Sequence, residues 1–384
     1  MEPAGNEGGI SVYSRIAKDM ASRRAVVITL ALLGTSITSL ASGECKLYQL
    51  AQLAVTVKHN RPLIDGEING QKIKILVDTG AGYTMLWRSE AVRIGLPLRD
   101  VDGLRLFGVG GETKVQLAQL DEFKLAEFST HGIAFLVAGE GRNDSFSAIL
   151  GEDFLSKLTV EFDLAHGAIR LFRPVGCKPE QLMYWSPTYS AATLDSPPSH
   201  AHQINADVVL NGTRMIATLD TGATNSIVSP GAAASAGIRP PEASGGNISV
   251  GHGAGIGTHP FTFTVARFDS IAIGDEKIKN LELAVGDIGK YMQVDVTGWR
   301  LQQRLANAPH MLIGADFFLS HRLIVPSDSP IMLFTYTGGP VFQVIHDVAA
   351  ASAGDSTGAG NEPAATDSKP DAGTSYLYRS EGPF

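Results

Sequence analysis

The sequence predicts a mostly β protein built of two similar lobes. Three observations support this: the length of 384 residues, the abundance of glycine and proline, and a set of motifs that occurs twice in the same order. The length suits two domains of about 100–200 residues each. The 42 glycines and 19 prolines, with many short runs of Val, Ile and Leu, favour strands and turns over long helices.

Residues 1–43 have the pattern of an export signal. Arg23 and Arg24 precede an apolar stretch, residues 25–33, and small residues follow up to Ala41. A basic start, a short apolar core and a small-x-small cleavage site are typical of such signals, and the paired arginines resemble a twin-arginine signal. The protein is therefore expected to be periplasmic or secreted. The alternative is an uncleaved N-terminal anchor, and only in that case is contact with a membrane expected.

The two cysteines of the chain, Cys45 and Cys177, flank the first lobe. In an oxidising compartment they can form a disulfide that ties the start of this lobe to its end; two free, buried thiols are the alternative. Two cysteines without a nearby histidine pair do not make a metal site, and no metal or other cofactor is expected. The net charge of −8, without a basic patch, argues against a nucleic-acid partner.

Composition and strand patterns divide the rest of the chain into four parts. The first lobe is expected over residues 46–175 and the second over residues 202–347. Residues 176–201, rich in Pro, Ser and Thr, are predicted to be a linker. Residues 348–384 consist largely of small and polar residues that bury too little apolar surface to order themselves, which predicts a disordered tail.

The motif repeat carries the strongest functional signal. In each half an Asn-Gly pair typical of a hairpin turn precedes an apolar strand, which ends in Asp-Thr-Gly-Ala at residues 78–81 and 220–223. A glycine-punctuated turn follows about thirty residues later. Each half then closes on an apolar pair, a glycine and an aspartate, at residues 149–153 and 312–316. Four matching features in the same order indicate an internal duplication.

The first aspartate of each copy, Asp78 and Asp220, is expected to contribute to one shared active site. Each follows an apolar strand, which carries its carboxylate into a partly dry interior. Two carboxylates a few ångströms apart share one proton. One can then act as a general base on a water molecule while its protonated partner polarises a carbonyl group. Such a pair needs neither a metal nor a covalent intermediate.

The residues next to the aspartates are expected to support the pair. Gly80 and Gly222 allow each loop to turn sharply and leave room for the opposing loop. The hydroxyls of Thr79 and Thr221 can each donate and accept a hydrogen bond, so they can cross-brace the two loops.

Four residues further along the repeat are expected to have structural roles. Thr84 and Ser226 lie six residues beyond each aspartate and offer further hydroxyl support. Asp153 and Asp316 also recur between the halves. Each precedes an aromatic residue, and the position predicts the cap of a short helix.

The repeated motifs resemble those of the retropepsin-like and pepsin-like aspartic peptidases. The resemblance rests on the two Asp-Thr-Gly-Ala segments and on the apolar-apolar-Gly triplets at residues 149–151 and 312–314, and it covers roughly residues 60–175 and 205–335. It implies a closed, β barrel-like lobe around each aspartate loop. It also implies a pseudo-twofold axis between the two lobes and a cleft where they meet.

The resemblance also implies an activity. Asp78 and Asp220 would be the catalytic pair of an aspartic endopeptidase, and a polypeptide substrate would lie extended in the cleft. Because one chain holds both halves, a monomer is expected. A non-catalytic module that binds peptides or cell-envelope fragments on the same two-lobed fold is the alternative.

The glycine-rich turns depart from the pepsin pattern. The pepsin family carries a tyrosine on its first-lobe flap, and residues 104–113 contain none. The turns can be mobile flaps that cover and bind the substrate, or they can be plain hairpin turns. The residues concerned are Phe107, Gly108, Gly110, Gly251 and Gly253.

Overall fold

The computed structural model describes residues 44–139, 146–200, 203–239, 250–253, 255, 259, 261–290, 293–295, 302–304, 309–342 and 375–379. The predicted export signal and most of the predicted tail lie outside these residues. Within the described part of the chain, no helix is both long and apolar enough to cross a membrane.

The first lobe is a barrel-like sheet closed by a pairing between β3 and β7. The strand order is β2-β3-β4-β9-β5-β8-β7-β6. The elements of the lobe are β1 Lys46–Ala54, β2 Thr56–Lys58, β3 Arg61–Ile68, β4 Gln71–Val77, β5 Met85–Leu86, α1 Arg88–Arg93, β6 Leu98–Gly108, β7 Gly111–Leu125, β8 Phe128–Ala138, β9 Ala148–Leu150, α2 Glu152–Leu155, β10 Thr159–Asp163 and β11 Ala168–Val175.

The second lobe repeats this arrangement, and the pairing of β13 with β17 closes its sheet. The strand order is β13-β14-β21-β15-β18-β17-β16. After β12 Ser190–Thr193, its elements are β13 Asn205–Leu210, β14 Thr213–Leu219, β15 Ile227–Val228, α3 Pro230–Ser235, β16 Val250–Gly253, β17 Phe261–Ile273, β18 Glu276–Gly286, β19 Gln293–Asp295, β20 Gln302–Arg304, β21 Met311–Ile313, α4 Ala315–Phe318, β22 His321–Val325 and β23 Ile331–Tyr336. The predicted class, two mostly β, barrel-like lobes, is confirmed.

An Asn-Gly turn begins the motif in each lobe for a clear local reason. Asn69 and Gly70 have φ values of 50° and 77°, and Asn211 and Gly212 have values of 46° and 83°. Two successive positive φ values suit the tight hairpin turn that Asn-Gly favours. The Asn69 side chain also accepts bonds from the backbone N–H groups of Asp121 and Glu122 on β7, and the Asn211 side chain accepts equivalent bonds from Asp269 and Ser270 on β17.

A central sheet joins the two lobes. Its order is β1-β11-β10-β22-β23-β12, and β10 of the first lobe pairs with β22 of the second, with Glu161 opposite Ile324. The segment predicted to be a linker supplies β12, which pairs with β23. This segment also contains a 3-10 helix, Pro179–Leu182, and is therefore more ordered than a linker.

Cys45 and Cys177 form a disulfide beside the outer pair of this sheet. The bond lies next to the pairing of Lys46 with Val175, where β1 meets the end of β11. It therefore joins the two ends of the first lobe.

Opening this disulfide should destabilise the protein by up to about 4–5 kcal/mol, because chain-entropy arguments give a large effect for a long closed loop. The two cysteines are 132 residues apart in the sequence. Urea unfolding of the oxidised protein and of a Cys45→Ser/Cys177→Ser variant measures the difference, and we expect a lower midpoint for the variant. Adding reductant should lower the wild-type midpoint and leave that of the variant unchanged. Equal midpoints for the two proteins would count against a stabilising disulfide.

The end of the predicted disordered tail forms a strand. Residues β24 Ser375–Arg379 pair antiparallel with residues 104–108 of β6, with Tyr376 opposite Phe107. This is a correction for these five residues. A β-prone run of alternating aromatic and aliphatic residues can add to an exposed strand edge even within a polar tail.

Candidate active site

The strand before each aspartate changes from partial to complete burial. In β4 the residues alternate between exposed and buried at first, and the last three, from Ile75 to Val77, are all buried. β14 shows the same change before Asp220. Each strand enters the interior because it runs parallel to a short buried strand, β9 or β21. Both aspartates are therefore delivered into the interior, and both are buried.

The two carboxylates are held in the same way. Oδ1 of Asp78 accepts bonds from the backbone N–H of Gly80 and Ala81, at 2.9 and 3.0 Å. Oδ1 of Asp220 accepts equivalent bonds, also of 2.9 and 3.0 Å, from Gly222 and Ala223. Both Oδ2 atoms are buried, and outside the pair of carboxyl groups neither has a donor group among the described residues. One oxygen of each carboxyl group therefore fixes its position, and the other remains available for chemistry.

The threonines of the two loops cross-brace each other. The Thr79 N–H donates to Oγ1 of Thr221 at 3.1 Å, and the Thr221 N–H donates to Oγ1 of Thr79 at 3.0 Å. Each hydroxyl in turn donates to a carbonyl of the opposite lobe. The Thr79 hydroxyl donates to the Leu219 carbonyl at 2.8 Å, and the Thr221 hydroxyl donates to the Val77 carbonyl at 2.6 Å. Four bonds related by a local twofold axis thus fix the two aspartates relative to each other.

The glycine after each threonine lies against the opposite aspartate. A Cβ atom placed on Gly80 would lie 2.4 Å from Cγ of Asp220, and one on Gly222 would lie 2.4 Å from Cγ of Asp78. Such distances are far below van der Waals contact. Both positions therefore require glycine because the loops approach each other so closely, and the two carboxyl groups belong to one site.

Burial and proximity raise the proton affinity of the pair. Burial raises the pKa of Asp78, although hydrogen bonds from Asp220 and the backbone oppose the effect. Burial, followed by the negative charge of Asp78, raises the pKa of Asp220 well above its ordinary value. Two like charges at this distance cannot both ionise easily, so the pair retains one shared proton above the usual carboxyl range.

Asp220→Asn should increase the stability of the folded protein at neutral pH. Since folding raises the pKa of Asp220 above 3.8, the folded state keeps a proton that the unfolded state releases. The resulting stabilisation is complete at low pH and is lost as the pH rises through the folded-state pKa. Asparagine does not ionise and escapes this loss. In thermal melts we expect the variant's Tm to exceed the wild-type value at pH 7 and the difference to shrink towards pH 3. A difference that grows at low pH would contradict this explanation.

A second layer of contacts anchors the stretch after each aspartate. Oδ1 of Asp153 accepts bonds from the N–H and the hydroxyl of Thr84, at 2.8 and 2.7 Å, and Oγ1 of Thr84 accepts a bond from the Gly151 N–H at 3.1 Å. In the second lobe the carboxylate of Asp316 accepts the corresponding bonds from Ser226, at 2.9 and 2.7 Å.

The aspartates of this layer do not act as predicted. The N-cap positions of α2 and α4 are Gly151 and Gly314, so Asp153 and Asp316 are not N-caps but anchors for the active-site loops. A hydroxyl residue recurs six positions after each active-site aspartate, as Thr84 and Ser226. This recurrence was the sequence signal that could have identified the Thr84–Asp153 and Ser226–Asp316 contacts.

The β6–β7 hairpin of the first lobe contacts the second lobe. The β6–β7 hairpin turns at residues 109–110, and the carbonyl of Gly110 accepts a 3.0 Å bond from the His259 N–H of the second lobe. Phe107 is buried within the hairpin. Gly108 is the last residue of β6, and Gly251 and Gly253 belong to β16, so these three lie in strands. Of the glycines predicted in turns, Gly110 alone is placed in one.

Three further residues near the loops were missed by sequence reasoning. The Asn60 side chain donates to the Thr224 carbonyl at 3.1 Å, and the Gln203 side chain donates to the Gly80 carbonyl at 3.4 Å. Glu152 is buried, and burial, then the charges of two aspartates, raise its pKa well above the ordinary value. Asn60 and Gln203 lie outside the repeated motif, whereas Glu152 lies within it at a position where the second copy has Ala315. Within the described part of the chain, no group of three or more His, Cys, Asp or Glu side chains could hold a metal ion.

Comparison with known proteins identifies the family. A family model described as aspartyl protease matches residues 64–154 and 206–317, which is more than half of the chain. The chain belongs to the aspartyl protease family. Each matched segment contains one of the two buried aspartates. The family resemblance inferred from the sequence is confirmed.

The other comparisons add little to this assignment. The aspartic proteinase from Irpex lacteus is a similar solved structure, with a TM-score of 0.43 and 11% identity over 75% of this chain and 97% of that chain. A likeness at this level carries no argument about substrate or mechanism. The search of curated proteins finds no match.

Proposed function

We propose that this aspartyl protease is an active endopeptidase that hydrolyses peptide bonds with a water molecule activated between Asp78 and Asp220. The pair of buried Oδ2 atoms supports this most strongly. Each belongs to a carboxyl group whose other oxygen is fixed by two backbone N–H bonds, and outside the pair neither has a donor group among the described residues. Leaving such atoms unpaired is costly, and that cost suggests a functional use.

The reaction follows from the shared proton. The ionised aspartate takes a proton from the water, whose oxygen attacks the carbonyl carbon of the substrate. The protonated partner donates its proton to the carbonyl oxygen, which gives a neutral tetrahedral diol. The aspartate that took the water proton then donates it to the amide nitrogen, while the other, now ionised, takes a proton from one diol hydroxyl. The C–N bond breaks, an amine and a carboxylic acid are released, and the pair again holds one shared proton. The threonine braces keep the pair aligned, so little reorganisation is needed.

The bond between Gly110 and His259 suggests how substrate enters. This bond bridges the two lobes at the tip of the β6–β7 hairpin, and we propose that it opens to admit a polypeptide and re-forms over it. The substrate would lie extended and pair with strand edges. A single chain with both aspartates would act as a monomer.

An exported location fits the disulfide. Disulfides persist in oxidising compartments and are rare in the cytosol. We therefore propose that the protein acts in the periplasm or after secretion. Alkylation of free thiols in protein taken directly from cells, before and after reduction, would test this. Free Cys45 and Cys177 in the native protein would contradict it.

A digestion experiment tests the proposed activity. The purified protein is incubated with an unfolded, carboxymethylated protein between pH 3 and pH 8 in water enriched in ¹⁸O, and the products are read by mass spectrometry. We expect internal cleavage, with one ¹⁸O atom in each new carboxyl terminus after a single turnover. A folded protein that cleaves nothing at any pH would contradict the proposal and leave a peptide-binding module as the function.

A further inference from the structure

The β6–β7 hairpin ends in an arm that extends beyond the barrel of the first lobe. The register between β6 and β7 shifts after Asp100, and residues 105–108 then pair with residues 111–114. The described pairing of β8 with β7 covers only residues 115–125 of β7, so it stops where this arm begins. A two-stranded hairpin is marginally stable on its own. The position of the arm therefore depends on what contacts it.

The arm lies next to the loop that carries Asp78. Leu106 of the arm belongs to the same buried apolar cluster as Ala81, whose N–H donates to Oδ1 of Asp78. At the tip of the arm the Gly110 carbonyl accepts the bond from His259 of the second lobe. The arm thus connects the Asp78 loop to the opposite lobe, and its position controls access between them.

The C-terminal strand β24 covers the outer edge of this arm. Its pairing with β6 runs from Ser375 opposite Gly108 to Arg379 opposite Leu104, so it follows the arm up to the turn at residues 109–110. The arm becomes three-stranded as a result. In the second lobe the corresponding strand, β16, is the last strand of its sheet among the described residues. The added strand is therefore a feature of the first lobe.

Pairing through the backbone makes this edge a site for an extended polypeptide. A free strand edge presents N–H and C=O groups that any added strand can use. Here the chain itself supplies that strand, and residues 343–374 connect it to the end of the second lobe. A segment tethered in this way binds at an effective concentration on the order of 1 mM. Even a weak pairing is then enough to keep the edge of β6 occupied.

We propose that β24 is an inhibitory strand, which occupies the edge of β6 and holds the arm against the second lobe until a polypeptide substrate enters. This inference rests on the proposed function, because it concerns the entry of that substrate. A third strand stiffens the arm, and the bond between Gly110 and His259 opens less readily while β24 is in place. Release of β24 frees both the arm and the backbone groups of its edge.

Proline substitutions in the otherwise intact chain test the inhibition. Successive residues of a strand direct their N–H groups to opposite sides, so a Tyr376→Pro/Leu377→Pro variant loses one donor to β6 and the strand geometry as well. We expect kcat/KM for peptide cleavage to rise roughly three- to ten-fold, as suits release of a strand tethered at about 1 mM. An Ala364→Pro/Ala365→Pro variant, changed in the same tail outside β24, is the matched control and should cleave as the wild type does. An unchanged or lower kcat/KM for the β24 variant would overturn the proposal.

A binding experiment tests the site without relying on cleavage. A synthetic peptide of residues 373–381 is added to the β24 variant that also carries Asp78→Asn, so that the peptide is not cut, and binding is followed by NMR. We expect a Kd on the order of 0.1–1 mM, with shifted amide signals at residues 104–108, and no such shifts when the wild-type tail is present. Unshifted signals at these residues in the β24 variant would overturn the proposal. Peptide binding at β6 in a protein that cleaves nothing would instead contradict the proposed function, and with it the inhibitory role, while confirming the strand-binding edge.

Discussion

Replacing either Asp78 or Asp220 by asparagine should lower kcat/KM for peptide cleavage by about 10³-fold or more. General acid–base catalysis by one group contributes on the order of 10²–10⁴-fold, and here each carboxyl group depends on the other to share the proton. Asparagine keeps the shape of the side chain and can still accept the backbone bonds that hold Oδ1. The loss would therefore reflect missing proton transfer rather than a displaced loop.

The control for this prediction is a carboxylate outside the site. Asp65 is exposed on β3 and forms an ion pair with Lys74, so Asp65→Asn should leave kcat/KM within about two-fold of the wild type, since exposed ion pairs contribute little. Thermal melts would establish that all three variants fold. Retention of a tenth or more of wild-type activity by a folded Asp78→Asn or Asp220→Asn variant would contradict the shared-proton mechanism.

Gly222→Ala should cost about 10²-fold in kcat/KM, because a misplacement of about 1 Å at a reacting group has that effect. A Cβ atom at this position would lie 2.4 Å from Cγ and from Oδ2 of Asp78. The carboxyl group of Asp78 would have to move, and it cannot do so without weakening its bonds to Gly80 and Ala81. Steady-state kinetics with a peptide identified in the digestion experiment measure the change.

Gly231→Ala provides the matched control. Gly231 lies in α3, and nothing stands within 4 Å of a Cβ placed there. This substitution should leave cleavage unchanged and increase stability slightly, since alanine loses less conformational freedom than glycine in a helix. If Gly222→Ala cleaved as fast as Gly231→Ala, the close approach of the two loops would not matter for catalysis.

The sequence allowed the prediction of those parts of the molecule that local chemistry determines. The Asn-Gly turns require positive φ values, and their spacing to Asp78 and Asp220 fixed the strand that carries each aspartate. Duplication then indicated two lobes. Two loops that face each other closely need hydroxyl groups to brace them and room for their backbones. The bracing role of Thr79 and Thr221 and the need for glycine at positions 80 and 222 could therefore be predicted.

Features that depend on distant parts of the chain could not be predicted in this way. The pairing of β10 with β22 joins segments from different lobes, and no local pattern specifies it. Asp153 was assigned to a helix cap because its partner, Thr84, lies 69 residues away.

A mixing experiment tests most directly the central claim that Asp78 and Asp220 form one site within one chain. Asp78→Asn and Asp220→Asn variants are purified separately, mixed in equal amounts, incubated through a cycle of mild denaturation and refolding, and assayed with the same peptide. If the site forms within each chain, every molecule lacks one carboxyl group, and the mixture should be as inactive as either variant alone. Recovery of about a quarter or more of wild-type activity on mixing would mean that lobes of different chains combine, and it would contradict the one-chain site.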